Sequence, residues 1–240
     1  MLEKLIKARR KLLYNLLISI LISIILIALI SLTNWIITTK LMVILIILLA
    51  LLFYIWPIRP KMFYHHQMIA YLKMKNTQID ERKTNIHLIS ESFIRSLEKH
   101  QFKITQDYGE FILYYRLTKD KNEFKYNRGT LEIAIIIKNE QTKFNDQMIE
   151  KAINNLEDFL KKNKNRYKDY IILQFRKNDQ LTDELIHEAD QVVFDKQQKR
   201  FITRINVVEH KESKLYYLAS KNYHPSMHYQ YAVDLIKKLT

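Results

Sequence analysis

The chain has 240 residues, 48% of them hydrophobic, and a formal charge of +14 at pH 7. It has no cysteine and only two glycines, Gly109 and Gly129. The first fact excludes disulfides, zinc–thiolate sites and thiol catalysis. The second excludes a phosphate loop or dinucleotide fingerprint, both of which need several glycines for the backbone to approach phosphate.

Residues 1–11 are a basic segment carrying Lys4, Lys7, Arg9, Arg10 and Lys11 against Glu3. Two apolar runs follow, at 12–33 and 41–56. The first has 22 residues and as a helix rises about 33 Å, enough to cross a hydrocarbon core of about 30 Å. The second is shorter, but Trp35, Ile36 and Ile37 extend it backwards while Lys40 snorkels towards headgroups. Trp35 and Trp56 fall where aromatic belts form. A cleavable signal peptide is the competing reading. The first run is longer than a signal h-region, lacks a small-residue cleavage site and is followed by a second run. Residues 12–56 therefore read as a two-helix transmembrane hairpin.

Arg59, Lys61, Lys73 and Lys75 follow the second run with no acid, whereas the connecting loop carries only Lys40. The positive-inside rule then puts both termini in the cytoplasm of a two-span cell-membrane protein. The membrane-interface residues are Arg9, Arg10, Lys11, Trp35, Lys40, Trp56, Arg59 and Lys61, and their partner is a bilayer with anionic headgroups. Residues 1–75 hold ten Lys or Arg and one acid, leaving 29 basic and 24 acidic residues in the rest. Most of the charge that suggests nucleic acid thus belongs to the anchor, and a nucleic-acid partner is not favoured.

Pro57 and Pro60 read as the end of the second run, and 57–76 as a juxtamembrane linker. A single α+β domain is expected over 77–240. Its first helix is placed at 77–100 from Ile79, Ile86, Ile89, Phe93 and Leu97. Short β-branched and aromatic segments follow at 102–106, 111–117 and 131–137, broken at 107–109, 119–122 and 127–129. The third segment is apolar on both faces after Glu132, as in a buried central strand. Residues 145–162 form the clearest amphipathic helix. Beyond it come a strand at 170–175, a helix at 182–189 capped by Thr182 or Asp183, strands at 191–194, 201–208 and 215–219, and a helix at 226–238 after Pro225. The order is α-β-β-β-α-β-α-β-β-β-α, a mixed sheet covered by helices.

Over residues 77–176 the order αβββαβ resembles, in topology alone, the core of the PD-(D/E)xK nuclease-like fold. That resemblance implies an acid on the second strand and a Glu-x-Lys pair on the third, converging on a divalent metal. The third strand here ends Ile136-Ile137-Lys138, with isoleucine at the acid's place, and the second offers only Glu110 at its edge. Glu132 and Lys138 share a face but stand about 20 Å apart at roughly 3.3 Å per residue. Lys138 is the one catalytic candidate under this alternative, and a degenerate site is expected.

His224 and His228 lie four apart, a metal-ligand spacing without a third ligand in zincin position; structural roles are the better reading. Ser90, Ser92 and Ser96 lie on a helix without a nucleophile elbow. The tyrosines Tyr114, Tyr115, Tyr216, Tyr217, Tyr223, Tyr229 and Tyr231 suit sheet packing more than a stacking platform. No cofactor is expected. The leading expectation is a membrane protein presenting a non-enzymatic cytoplasmic interaction domain to an unknown protein partner. The alternatives are a nuclease-like domain and a subunit or assembly factor of a membrane complex. For the last, Ser19, Ser23 and Ala28 approximate a small-residue packing face.

Overall fold

The computed structural model describes residues 1–77, 82–118, 129–165, 167–194, 196–197, 200–211 and 213–240. The chain divides into two compact units, Met1–Lys73 and Met74–Thr240.

The first unit holds helix α1, Leu2–Ser31, and most of helix α2, Ile37–Lys75. Five residues join them, and Lys40 Nζ donates to the Ser31 carbonyl at 3.1 Å. Both helices are long and apolar enough to cross a membrane. Half-buried positions recur every three or four residues: Leu12, Leu16, Ser19, Ser23, Ile27 and Ile30 in α1, and Val43, Ile47, Leu51 and Ile55 in α2. Such stripes mark a packed seam. Ser19 and Ser23 lie on it with their hydroxyls on the carbonyls four residues back, while Ala28 faces away. The rest of the apolar surface is bare, including Leu17, Ile18, Leu21, Ile24, Leu45 and Leu49. Pro57 and Pro60 do not end α2; both lie inside it. At 39 residues the helix is about 58 Å long, roughly twice a hydrocarbon thickness.

The second unit is α+β. In chain order it comprises β1 Arg82–Lys83, α3 Glu91–Lys99, β2 Lys103–Asp107, β3 Phe111–Thr118, β4 Gly129–Ile137, α4 Gln147–Lys162 and β5 Tyr167–Lys177. Then follow α5 Asp183–Ala189, β6 Lys196–Gln197, β7 Arg200–His210, β8 Lys214–Tyr216 and α6 Met227–Leu239. One mixed sheet runs β1-β8-β7-β5-β4-β3-β2, with β6 paired to β7 off that path. β4, β5 and β7 are parallel, and the outer pairs are antiparallel. All nine residues of β4 are buried, as its two-sided apolar pattern predicts.

On one face of the sheet, Leu131, Ile133, Ile135 and Ile137 pack with Ile149, Ile153, Leu156 and Leu160 of α4 and with Leu185 of α5. On the other, Phe93 of α3 meets Phe175 edge-on at 5.0 Å between ring centroids. Ser90, Asp146, Thr182 and Ser226 each cap the helix that follows by accepting from a backbone N–H two or three residues on. Thr182, not Asp183, is thus the cap of α5. With glycine scarce, Gln101 and Lys164 take the left-handed conformation after α3 and α4. There Phe102 N–H reaches the Leu97 carbonyl and Asn165 N–H the Leu160 carbonyl, each at 3.0 Å.

Three expectations for the second unit are corrected. The helix placed at 77–100 begins only at Glu91; Ile79 lies outside the described residues. Upstream, the backbone is used otherwise: Thr84 N–H bonds the Ser213 carbonyl at 2.8 Å and Leu88 N–H the buried Glu209 carboxylate at 2.7 Å. Residues 191–194 supply a single bridge, Val193 to Arg204, rather than a strand. The strand at 215–219 is the three-residue β8. The turn signals at 119–122 and 127–128 fall outside the described residues.

Candidate functional site

Two polar constellations occupy opposite ends of the sheet. The buried one is built on the in-register pair Arg116 of β3 and Glu132 of β4. Glu132 has no exposed surface. Its carboxylate accepts from Arg116 Nε at 2.7 Å, from the Thr118 hydroxyl at 2.6 Å and from the Tyr231 hydroxyl of α6 at 2.8 Å. A buried carboxylate demands this many donors, because each lone pair left without a partner keeps its desolvation cost. Arg116 also donates to the His100 carbonyl at 2.7 Å and to Tyr231 at 3.1 Å, and lies 4.8 Å over the Phe102 ring. Two of its five N–H groups make no further hydrogen bond among the described residues.

Arg116 and Tyr231 form part of the wall of an open hollow of about 1240 Å³, between the end of α3, the start of β2, the end of β3 and α6. Lys99 and Lys103, both exposed, stand on its rim with Lys238, and Glu98 is the single acid among the described residues that line it.

Lys138 is at the other end, just past β4. It bonds Asp107 at 2.7 and 2.9 Å on an exposed surface. That bond, with the N–H of Gly109, holds the Asp107 carboxyl below the usual carboxylate range. Glu110 is beside them: its carbonyl accepts Lys138 N–H at 2.8 Å and its carboxylate the Thr142 hydroxyl at 3.1 Å. The structure therefore brings Lys138, Asp107 and Glu110 to one strand end. Ile136, where the nuclease pattern has its acid, is buried. Among the described residues, no three His, Asp or Glu side chains are grouped to hold a metal.

Compared with known proteins, the chain matches no family model, no curated protein and no solved structure. Its chemistry has to be read from its own residues.

His228 of α6 faces Asp169 at 3.3 Å and stacks on Phe201 at 4.9 Å between centroids. Burial pushes the Asp169 carboxyl up, but the His228 bond and the Phe201 N–H outweigh it and leave the group below its usual value. His224 precedes α6 with its Nδ1 buried and without a hydrogen bond among the described residues, and burial lowers its pKa. Of the seven tyrosines, Tyr114, Tyr216, Tyr217 and Tyr229 are buried and the others are half-buried. Tyr216 and Tyr229 spend their hydroxyls on Asp190 and the Leu218 carbonyl. Arg9, Arg10 and Lys11 lie in α1, Lys40, Trp56, Arg59 and Lys61 in α2, and Trp35 between them.

Sequence reasoning did not single out Arg116. The signal was present: one arginine in an apolar strand and one glutamate in the next, at positions that an antiparallel pairing sets opposite each other. A second buried carboxylate, Glu209, also went unremarked. It binds His87 Nδ1 and Leu88 N–H and so pins the segment before α3 to β7.

Proposed function

We propose that this chain is an integral membrane protein whose helical hairpin holds a binding domain, rather than a catalytic one, at the cytoplasmic face of the cell membrane. The observation that carries the reading is the bare apolar surface of α1 and α2. Only 6% of the most apolar window of each is buried, which is untenable in water for surface of that extent. Anionic headgroups match the basic residues at the base of the hairpin, Arg9, Arg10 and Lys11 on α1 and Arg59 and Lys61 on α2. Both termini face the cytoplasm on the same charge argument.

A binding role is supported by the way titratable groups are used. Glu132, Asp169 and Glu209, the buried acids of the sheet, are each engaged by fixed donors, so none is poised as a base. The test is fractionation: after alkaline carbonate washing the protein stays in the membrane pellet and leaves it only in detergent. Release by carbonate would refute the anchor.

The nuclease-like alternative draws on one observation, the run α3-β2-β3-β4-α4-β5 with Lys138 beside Asp107. It requires magnesium-dependent cleavage of DNA by the purified chain, lost on changing Lys138→Ala. Absence of cleavage by the parent protein removes it.

A further inference from the structure

The hollow beside Arg116 sets two exposed lysines, Lys99 and Lys103, around an arginine held by fixed partners. Lys99, at the end of α3, and Lys103, at the start of β2, make no hydrogen bond or ion pair among the described residues. They converge on the hollow from two elements joined by three residues. That connection is fixed by the left-handed Gln101 and by the 3.0 Å bond from Phe102 N–H to the Leu97 carbonyl. The lysines therefore hang from a rigid corner rather than a loose loop.

Arg116 completes the arrangement. Glu132, the His100 carbonyl and Tyr231 grip three of its donors and Phe102 lies beneath its plane. Its guanidinium is thus pre-oriented, with two N–H groups that make no hydrogen bond among the described residues, the condition under which arginine recognises phosphate well. Glu132 cancels its charge, so the field in the hollow is set by the rim lysines against Glu98. A volume of about 1240 Å³ exceeds the roughly 300–1,000 Å³ of an ordinary drug-like pocket. It has room for an organic molecule and not only an inorganic ion. The buried tyrosines leave few faces for successive bases, which disfavours a nucleic-acid strand.

We infer that this hollow binds a phosphate-bearing organic ligand, with Lys99 and Lys103 taking the charge and Arg116 orienting it. The inference rests on reading the sheet domain as a binding module, and it is independent of the membrane anchor. The same chemistry is offered by a soluble phosphorylated compound and by a phospholipid headgroup, so two probes are needed. The full chain in neutral detergent is titrated calorimetrically with inorganic pyrophosphate and, separately, with dihexanoylphosphatidylglycerol.

Saturable binding of either probe is expected, weakened about tenfold or more in the K99E/K103E double variant, as loss of charge-assisted contacts entails. The milder K99A/K103A weakens it in the same direction. K151E/K177E changes net charge equally, on α4 and at the far end of β5, and leaves binding within about twofold, because screened charges at that distance act weakly. Pyrophosphate alone identifies a soluble ligand, and the lipid alone a headgroup. Binding of neither probe by the parent chain overturns the proposal, as does an equal loss in the two charge-reversed variants. Carbonate extraction is unaffected by either result, so failure here and failure of the anchor are told apart.

Discussion

At one end of the sheet an arginine and a glutamate meet out of water; at the other a lysine and an aspartate meet in it. The distances are alike, 2.7 Å from Arg116 to Glu132 and 2.7 Å from Lys138 to Asp107. What differs is the surroundings. Glu132 is wholly enclosed and needs three donors, whereas Asp107 keeps about half of its side-chain surface in solvent. An enclosed pair fixes its neighbours, here Thr118, Tyr231 and the His100 carbonyl, into one arrangement. A solvated pair is screened and fixes little. The first end is therefore where a shaped, pre-oriented surface arises, although the second is where the sequence resembles a catalytic pattern.

The sharpest way to break this comparison is to remove the enclosed acid. Glu132→Ala leaves the half-buried Arg116 without its counter-charge and is expected to cost about 3 kcal/mol, the low end for a broken buried pair, in denaturant unfolding of the sheet domain. The paired change Arg116→Met with Glu132→Leu recovers much of that loss, since buried ion pairs are often replaceable by apolar side chains of similar size. If the double variant is no better than the single, the pair is more than a local neutralisation.

Next in size is Ser226→Ala, which removes the cap of the helix that brings Tyr231 to Glu132. About 1 kcal/mol is expected from the same measurement. Lys138→Ala is the matching change at the solvated end and leaves the unfolding midpoint at the parent's value. A large shift there would erase the contrast between the two ends.

The smallest effect is on pH. Burial lowers the His224 pKa in the folded chain, so the unfolded chain takes up a proton first as pH falls. Stability is full above the free imidazole value of about 6.5 and declines below it. Asp169 acts at lower pH, its depressed pKa giving stability that is lost as pH falls below about 3.9. His224→Gln flattens the first decline in urea midpoints recorded from pH 7.5 to about 3 and leaves the second in place.

Much of the architecture could be read from periodicity. The stripe Met148, Ile149, Ala152, Ile153, Leu156, Phe159 and Leu160 predicted α4, although Met148 and Phe159 at its margins are exposed, and the unbroken apolar run after Glu132 predicted a central strand. The failures came where a distant side chain overrode local preference. Ile86 and Ile89 continue a helical spacing, yet Glu209, more than a hundred residues away, takes the Leu88 N–H that such a helix would have used. Pro57 and Pro60 misled in the opposite sense, since α2 carries both and runs on to Lys75. The buried site was not read from the sequence: Glu132 marked only the start of an apolar run, and Arg116 became its partner only through register.

The lack of cysteine makes the central claim directly measurable, because single cysteines can be introduced without background. Asn34→Cys lies in the loop between α1 and α2, and Asn222→Cys in the exposed turn before α6. In intact cells a membrane-impermeant maleimide is expected to label position 34 and spare position 222, with both labelled after lysis. Labelling of position 222 in intact cells would contradict a sheet domain held inside the membrane.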